Sequence, residues 1–286
     1  MSEQPLVSVL MNCYNGEKYL RESIESVLLQ SYKNWELIFW DNQSNDLSAT
    51  IFYSYEDVRL KYFLAPQHTD LGTARILAQE HLHGTYVAVL DADDVAHPDR
   101  FLKQVGFLEI NQNVALVGSW VKLIDSEGKF LSELTPLSDP MLINDLIGWK
   151  NPIAHSAVMY RGKAAKEVGG YSRNFSYAQD YCLLINLAEK HQIAVLNEFL
   201  CTYRMLQSSL SRARKLQRLI YTEQIILFGL ARKKLNLSPP AIKRNFRSIA
   251  NSQARLVIVD IYDGYYFRAV VGVINFLRNH FAALYI

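Results

Sequence analysis

Short apolar runs separated by polar loops recur along the first hundred residues. Val7 to Met11 has the length of a strand and is followed by the turn pair Asn15-Gly16. Tyr19, Leu20, Ile24, Val27 and Leu28 then recur at helical spacing. Glu36 to Trp40 predicts a second strand that ends in the polar loop Asp41-Asn42-Gln43-Ser44-Asn45-Asp46. A third strand is expected over Leu60 to Leu64 and a helix over Leu71 to Leu82. Tyr86-Val87-Ala88-Val89-Leu90, introduced by Gly84, reads as a buried parallel strand. Pro98 starts a helix reaching about Asn111, and Val114 to Gly118 forms a fifth strand. Strands alternating with helices predict βαβ units and a mostly parallel sheet flanked by helices.

Beyond Gly118 the rhythm changes. Ser126-Glu127-Gly128 reads as a hairpin turn, Met141 to Trp149 as a short helix and Ser156 to Tyr160 as a strand. Asp180 to Lys190 predicts a helix with Leu183, Leu184 and Leu187 turned inward. After Ser211 the chain becomes basic and helical, broken by Pro239-Pro240. The expected organisation is a catalytic domain over 1–211 and a helical extension over 212–286, the first divided into halves at 118/119.

Composition adds boundaries. The 286 residues are 50% hydrophobic and 20% charged, which supports a packed core and argues against disorder. A net charge of +2 argues neither for nor against nucleic acid, and no nucleic-acid partner is expected. Cys13, Cys182 and Cys201 lack metal-ligand spacing and are odd in number, which fits a reducing compartment. Met1 to Pro5 has neither a basic flank nor a long apolar stretch, so no signal peptide and a cytoplasmic location are expected.

The strongest chemical signal is Asp91-Ala92-Asp93-Asp94 at the end of the fourth strand. Open α/β sheets bind ligands in the crevice beyond their strand ends. If the chain stays extended there, Asp91 and Asp93 project to one side. Paired oxygens at that edge suit a divalent cation, Mn²⁺ or Mg²⁺, whose shell is completed by water and substrate phosphates. The alternative is a solvated acidic turn before a helix capped at Asp99 or Asp94.

Two other strand ends share that edge. Asn12-Cys13-Tyr14-Asn15 follows the first strand and Asp41 with its neighbours the second. Tyr14 offers a face for a base, and Asp41 an acceptor for a base N–H or a ribose hydroxyl. Tyr14 could instead cover the helix behind it, and Asp41 to Asp46 could be only an Asx-type turn. A base site beside a metal site is what a nucleoside diphosphate requires. The absence of a Gly-x-x-x-x-Gly-Lys-Ser/Thr loop and of a Gly-x-Gly-x-x-Gly after the first strand argues against P-loop enzymes and dinucleotide dehydrogenases.

Taken together, Val7 to Gly16, Trp40 to Asp46 and Gly84 to Asp94 resemble family 2 glycosyltransferases. The likeness continues through Asn151-Pro152-Ile153-Ala154-His155-Ser156-Ala157-Val158-Met159, Val168-Gly169-Gly170-Tyr171 and Gln179-Asp180-Tyr181. It ends with Tyr203-Arg204 and the serines 208, 209 and 211. The resemblance implies the GT-A fold of nucleotide-diphospho-sugar transferases and transfer with inversion at the anomeric carbon. By that likeness Tyr14 and Asp41 hold the base, usually uracil, Asp91 contacts the ribose or diphosphate, and Asp93 ligates the metal. Asp180 corresponds to the catalytic base, usually the second residue of a Glu-Asp pair, with Gln179 in place of the Glu. Leu206 stands where many relatives have His, and Asn186 where Arg is frequent.

The implied chemistry is attack by an acceptor hydroxyl while the nucleoside diphosphate leaves from the opposite face. Asp180 takes the hydroxyl proton, help typically worth roughly 10²–10⁴-fold. Arg75 and Arg204 are candidates for bidentate phosphate contacts, or else solvated charges. His155 is an acceptor-side candidate, or else a structural hydrogen-bonding residue. For Asp180 the ordinary alternative is a helix N-cap. The partners expected are a nucleotide sugar and a saccharide or lipid-linked saccharide, the setting bacterial surface polysaccharide synthesis. Two rival functions are a sugar-nucleotide nucleotidyltransferase and a non-catalytic nucleotide-sugar-binding relative. Basic residues cluster from Arg212 to Arg247, and the longest uninterrupted run between Arg268 and Arg278 is nine residues, short of the ~20 needed to span a bilayer. That segment reads either as helices packing on the domain or on a second subunit, or as a peripheral surface resting on anionic lipid.

Overall fold

The computed structural model describes residues 4–136, 138–148, 150–172 and 178–206. The expectations for 207–286, including the helical extension and its membrane or subunit contacts, lie outside the described residues, as do the serines 208, 209 and 211.

The expected alternation is present. Strand β1 (Val7–Cys13) leads through α1 (Leu20–Leu28) to β2 (Trp35–Asp41), and α2 (Ser48–Tyr53) leads to β3 (Leu60–Leu64). Helix α3 (Leu71–Ala78), prolonged by a 3₁₀ turn at Gln79–His81, returns the chain to β4 (Tyr86–Val89). A two-residue strand, β5 (Val95–Ala96), precedes α4 (Arg100–Ile110) and β6 (Val114–Ile124). β6 pairs with β7 (Phe130–Leu134) across the hairpin predicted at Ser126-Glu127-Gly128. There follow α5 (Pro140–Ile147), β8 (Met159–Arg161), α6 (Gly162–Glu167), α7 (Gln179–Ala188) and β9 (Gln192–Arg204).

All the strands form one sheet in the order β3-β2-β1-β4-β8-β6-β9-β5, with β7 also on β6. The pairs β3-β2, β2-β1, β1-β4 and β6-β9 are parallel, whereas β8 runs antiparallel to both of its neighbours. β6 runs through residue 118, so the two expected halves share a sheet.

Side-chain alternation sorts the core into two layers. Val7, Val9 and Met11 of β1, with Leu37 and Phe39 of β2, pack against Leu20, Ile24 and Val27 of α1 and Phe101, Val105 and Leu108 of α4. Leu10, Val87 and Val89 face the opposite way, toward Ala74 and Ile76 of α3 and Leu183, Leu184 and Leu187 of α7. Helices therefore cover both sheet faces, which is why the strands read as continuous apolar runs.

Three expectations need correction. The segment 156–160 is not one strand: His155–Ala157 forms a 3₁₀ turn, and pairing to β4 and β6 begins only at Met159. The Asp91–Asp94 stretch is not extended, because Asp94 N–H bonds to the Asp91 carbonyl at 3.1 Å and closes a turn. Asp180 is not the N-cap of α7; Ala178 is, and Asp180 sits in the first turn. Among the described residues no helix is long and apolar enough to cross a membrane. The three cysteines are buried and unbridged.

Candidate active site

The chain leaves β1 toward β2 on one side and returns from β3 to β4 on the other, making a topological switch point between β1 and β4. Ligands bind beyond the strand ends at such points. The C-terminal ends of β1, β2 and β4 bring Asn12, Tyr14, Asp41 and the Asp91–Asp94 turn to this edge. β9 ends there as well, since the Arg204 N–H bonds to Asp94. Because α7 precedes β9 and runs opposite to it, its first turn lies at the same edge and brings Asp180 into the crevice.

On the β1–β2 side, Tyr14 is 49% exposed, and its ring centroid lies 4.2 Å from that of His68 at 44°. His68 is anchored through Nδ1 to the Asn42 carbonyl at 2.9 Å, while Asn42 Nδ2 donates to the Thr69 carbonyl at 2.8 Å. Two aromatic rings thus stand over the end of β2. His68 was missed in the sequence, although the loop after the third strand must share this edge. Asp41 is 1% exposed, with one carboxylate oxygen accepting from Ser44 N–H at 2.7 Å and the other from the Tyr62 hydroxyl at 2.6 Å. The Asx-type turn is therefore present. Asn12 Nδ2 is buried and has no hydrogen-bond partner among the described residues.

The acidic turn is held from beneath. Asp91 N–H donates to Ser156 Oγ at 3.3 Å, and its carboxylate meets Arg75 Nη2 at 3.1 Å. Asp94 is 1% exposed, and one of its oxygens accepts from the Arg204 N–H at 2.7 Å. Burial, and then Asp93 and Asp91, push its pKa well above the usual carboxylate range. Arg204 Nε donates to the Asp93 carbonyl at 3.0 Å, Nη2 to Glu22 at 2.5 Å and Nη1 to the Asp125 carbonyl at 3.4 Å. Its guanidinium also lies 4.4 Å from the Tyr19 ring centroid. Arg204 thus clamps the acidic turn, and a bidentate phosphate contact requires these bonds to break.

Asp93 differs from its neighbours. No side chain among the described residues donates to its carboxylate, and burial followed by the nearby Asp91 raises its pKa to about 6, against the pull of Arg204. A hard oxygen donor with uncompensated charge fits Mg²⁺ or Mn²⁺. Among the described residues no group of three or more His, Cys, Asp or Glu side chains converges on one point. The protein would therefore supply few ligands, leaving the rest of the shell to diphosphate oxygens and water.

Across the crevice, Asp180 accepts from Asn151 Nδ2 at 2.8 Å. Ala178 caps α7 in the left-handed region, φ 57°, a conformation costing roughly 1–2 kcal/mol for a residue with a Cβ. The strain lies two residues before the candidate base. Burial raises the Asp180 pKa, while Arg75 and two backbone N–H groups work against that rise. Arg75 is 4% exposed; burial disfavours its charge, but Asp91, Tyr171 and Asp180 hold its pKa above the ordinary guanidinium value. This buried cation thus pairs with Asp91 and also acts electrostatically on Asp180.

His155 Nε2 lies 3.0 Å from the Tyr171 hydroxyl, and burial, then Arg75 and Arg100, depress its pKa well below the ordinary imidazole value. It is neutral at physiological pH and tied into the structure, the alternative weighed for it from sequence. Tyr203 faces both halves of the crevice: burial, then Asp91, Asp94, Asp93 and Asp180, raise its hydroxyl pKa. Gln179 is 2% exposed, and Asn186 Nδ2 lies 3.7 Å from Cys182 Sγ. Asn151, Tyr171 and Tyr203 fall inside the recognised motifs, but sequence gave no signal of which atoms they touch.

Comparison with known proteins agrees with this geometry. A family profile described as glycosyl transferase family 2 matches residues 8–169. An uncharacterized glycosyltransferase of Methanocaldococcus jannaschii is 34% identical over 221 residues, covering 74% of this chain and 76% of that protein. The Escherichia coli UDP-Glc:alpha-D-GlcNAc-diphosphoundecaprenol beta-1,3-glucosyltransferase is 28% identical over 211 residues, 72% of this chain and 79% of its own. Among solved structures, S. aureus TarS 1-349 in complex with UDP-GlcNAc superposes with a TM-score of 0.64 at 15% identity, covering 97% of this chain and 90% of that one. The mannosyltransferase PcManGT from Pyrobaculum calidifontis in complex with GDP-Man and Mn²⁺ gives 0.63 at 16% identity, with coverages of 99% and 88%. These structural likenesses show the fold, the GT-A fold expected from the sequence.

Proposed function

The chain belongs to glycosyl transferase family 2, and from that premise we propose that it moves a sugar from a uridine diphosphate donor to an acceptor hydroxyl with inversion. One observation carries the reading: Arg75, buried to 4% exposure, holds Asp91 at 3.1 Å while its charge also faces Asp180. Donor-side acid and candidate base therefore belong to one crevice, and Asn12-Cys13-Tyr14-Asn15 after β1 is not the glycine- and basic-rich loop a nucleotidyltransferase would carry there.

In this mechanism the base stacks on Tyr14 and His68, with Asp41 and Asn42 below it. Asn12 Nδ2, buried and without a hydrogen-bond partner among the described residues, donates to the donor. Asp93 would hold a divalent cation, which when bound would supply Lewis-acid neutralisation of negative charge on the diphosphate. Asp180 abstracts the acceptor proton as the hydroxyl attacks. Its raised pKa makes it a stronger base than a surface carboxylate, and Arg75 favours its ionised form. The acceptor side is a saccharide, free or lipid-linked, as the diphosphoundecaprenol acceptor in the name of the E. coli relative suggests. A lipid-linked acceptor would bring the chain to a membrane surface, and surface polysaccharide assembly is the natural setting.

The test is a panel of nucleotide sugars with Mn²⁺, followed by thermal shift and nucleotide release. A UDP-sugar at 100 times its Kd should add about 2.7 kcal/mol of stability and release UDP faster when a saccharide acceptor is present. Pyrophosphate release from UTP and a sugar phosphate would indicate nucleotidyl transfer instead. Binding of every donor without turnover would indicate a binding protein.

A further inference from the structure

Asn151 is fixed at both ends of its amide. Its Oδ1 accepts from the Ile153 N–H at 3.2 Å, and its Nδ2 donates to Asp180 Oδ2 at 2.8 Å. The backbone contact sets which way the amide points, because an oxygen must face the N–H and the NH₂ is then left for the carboxylate. Pro152 restricts Asn151 further by excluding the helical region for the residue before it. No other side chain among the described residues hydrogen-bonds to Asp180. Together with the backbone N–H groups of Asp180 and Tyr181, the amide fixes how the carboxylate is turned and therefore which lone pair can meet a substrate hydroxyl.

We propose that Asn151 is a positioning residue of the transfer reaction, holding one oxygen of Asp180 so that the other lone pairs meet the acceptor hydroxyl. The proposal rests on reading Asp180 as the base. A neutral donor at this place fixes the carboxylate's orientation without neutralising it, as a lysine or arginine would. The hydrogen bond also favours the ionised form. The other groups facing Asp180 are Arg75 of α3, Asp91 after β4, Tyr171 before α7 and Tyr203 of β9. His155, neutral, lines the same small pocket as Asn151, Ile153 and Asp180.

Two variants of the full chain decide it. Asn151→Ala removes the donor, and Asn151→Asp sets a second carboxylate beside the first, so that the pair must share a proton. The direct readout is a ¹³C-carboxyl NMR titration of Asp180, with its resonance assigned by loss in Asp180→Asn, which needs no substrate. The Asp180 titration should move to higher pH in Asn151→Ala and further in Asn151→Asp. With the UDP-sugar that turns over in the panel, the acid limb of kcat/KM should move the same way. The kcat of Asn151→Ala should fall about 10- to 100-fold, the scale of a misplaced reacting group. UDP affinity measured by calorimetry should stay within about twofold. An unmoved titration and a wild-type kcat in either folded variant would overturn the proposal. If Asp180→Asn itself remains fully active, the base assignment fails first, and that outcome is separate from Asn151 variants behaving as wild type beside a dead Asp180→Asn.

Discussion

Replacing Arg75 with Met keeps most of the side-chain volume and removes a buried cation that pairs with Asp91 and acts on Asp180. Taking one partner from a buried ion pair costs about 3–5 kcal/mol, because an uncompensated charge stays behind. Arg75 is 5% exposed in its side chain but Asp91 is 32% exposed, so water screens one partner. The loss should therefore fall at the low end, about 3 kcal/mol. For a chain of this size that is a drop in Tm of about 6–12 °C. The deficit should also depend on pH. Arg75 is the leading influence opposing the burial-driven rise in the Asp180 pKa, so its removal raises that pKa further. A folded-state pKa above the unfolded value means that the native state binds more protons, and stability then falls as pH rises. The Arg75→Met deficit should accordingly be largest where Asp180 is ionised and shrink as pH falls and Asp180 takes up its proton. Calorimetric melts of both proteins across a series of pH values give the answer. A deficit below about 1 kcal/mol, typical of surface pairs, or one that grows as pH falls would refute the argument that Arg75 charge-balances the crevice.

Two further outcomes concern the donor. Asp93→Ala should bind UDP more weakly and without response to Mn²⁺, which isothermal calorimetry with and without the metal will show; unchanged metal-dependent affinity would remove Asp93 from the site. Tyr14→Ala should weaken UDP binding by about 1–3 kcal/mol, the usual worth of a base-stacking ring. Its melting temperature should hardly move, because the ring is 49% exposed; equal loss of UDP affinity and stability would make Tyr14 a packing residue.

Strands β1, β2 and β4 were legible, each placed to within a few residues, because they are buried on both faces and read as continuous apolar runs flanked by turns and helices. Leu60–Leu64 was placed to the residue although it is only partly buried. The missing elements lack that signal. β9 pairs with β6 through register shifts near Ser119 and Trp120, which interrupt the alternation that would mark a strand. α2 and α6 are six residues each, too short for a helical period to stand out. The same divide runs through the site. Asp91, Asp93 and Asp180 were legible as chemistry at strand and helix ends. Arg204 was legible as a charge, but its engagement with Asp93, Glu22 and Asp125 depends on the unseen strand that carries it. His68 and Asn151 act through partners 26 and 29 positions away, a distance that local pattern does not reach.

The claim on which the account turns is that Asp180 removes the acceptor proton. Asp180→Asn keeps the side-chain shape while removing its basicity. Under conditions where chemistry limits the rate, transfer from the UDP-sugar donor should fall about 10²–10⁴-fold while UDP affinity stays near that of the native protein. Transfer within about tenfold of the native rate, with donor binding intact, would contradict the account and place the base elsewhere in the crevice.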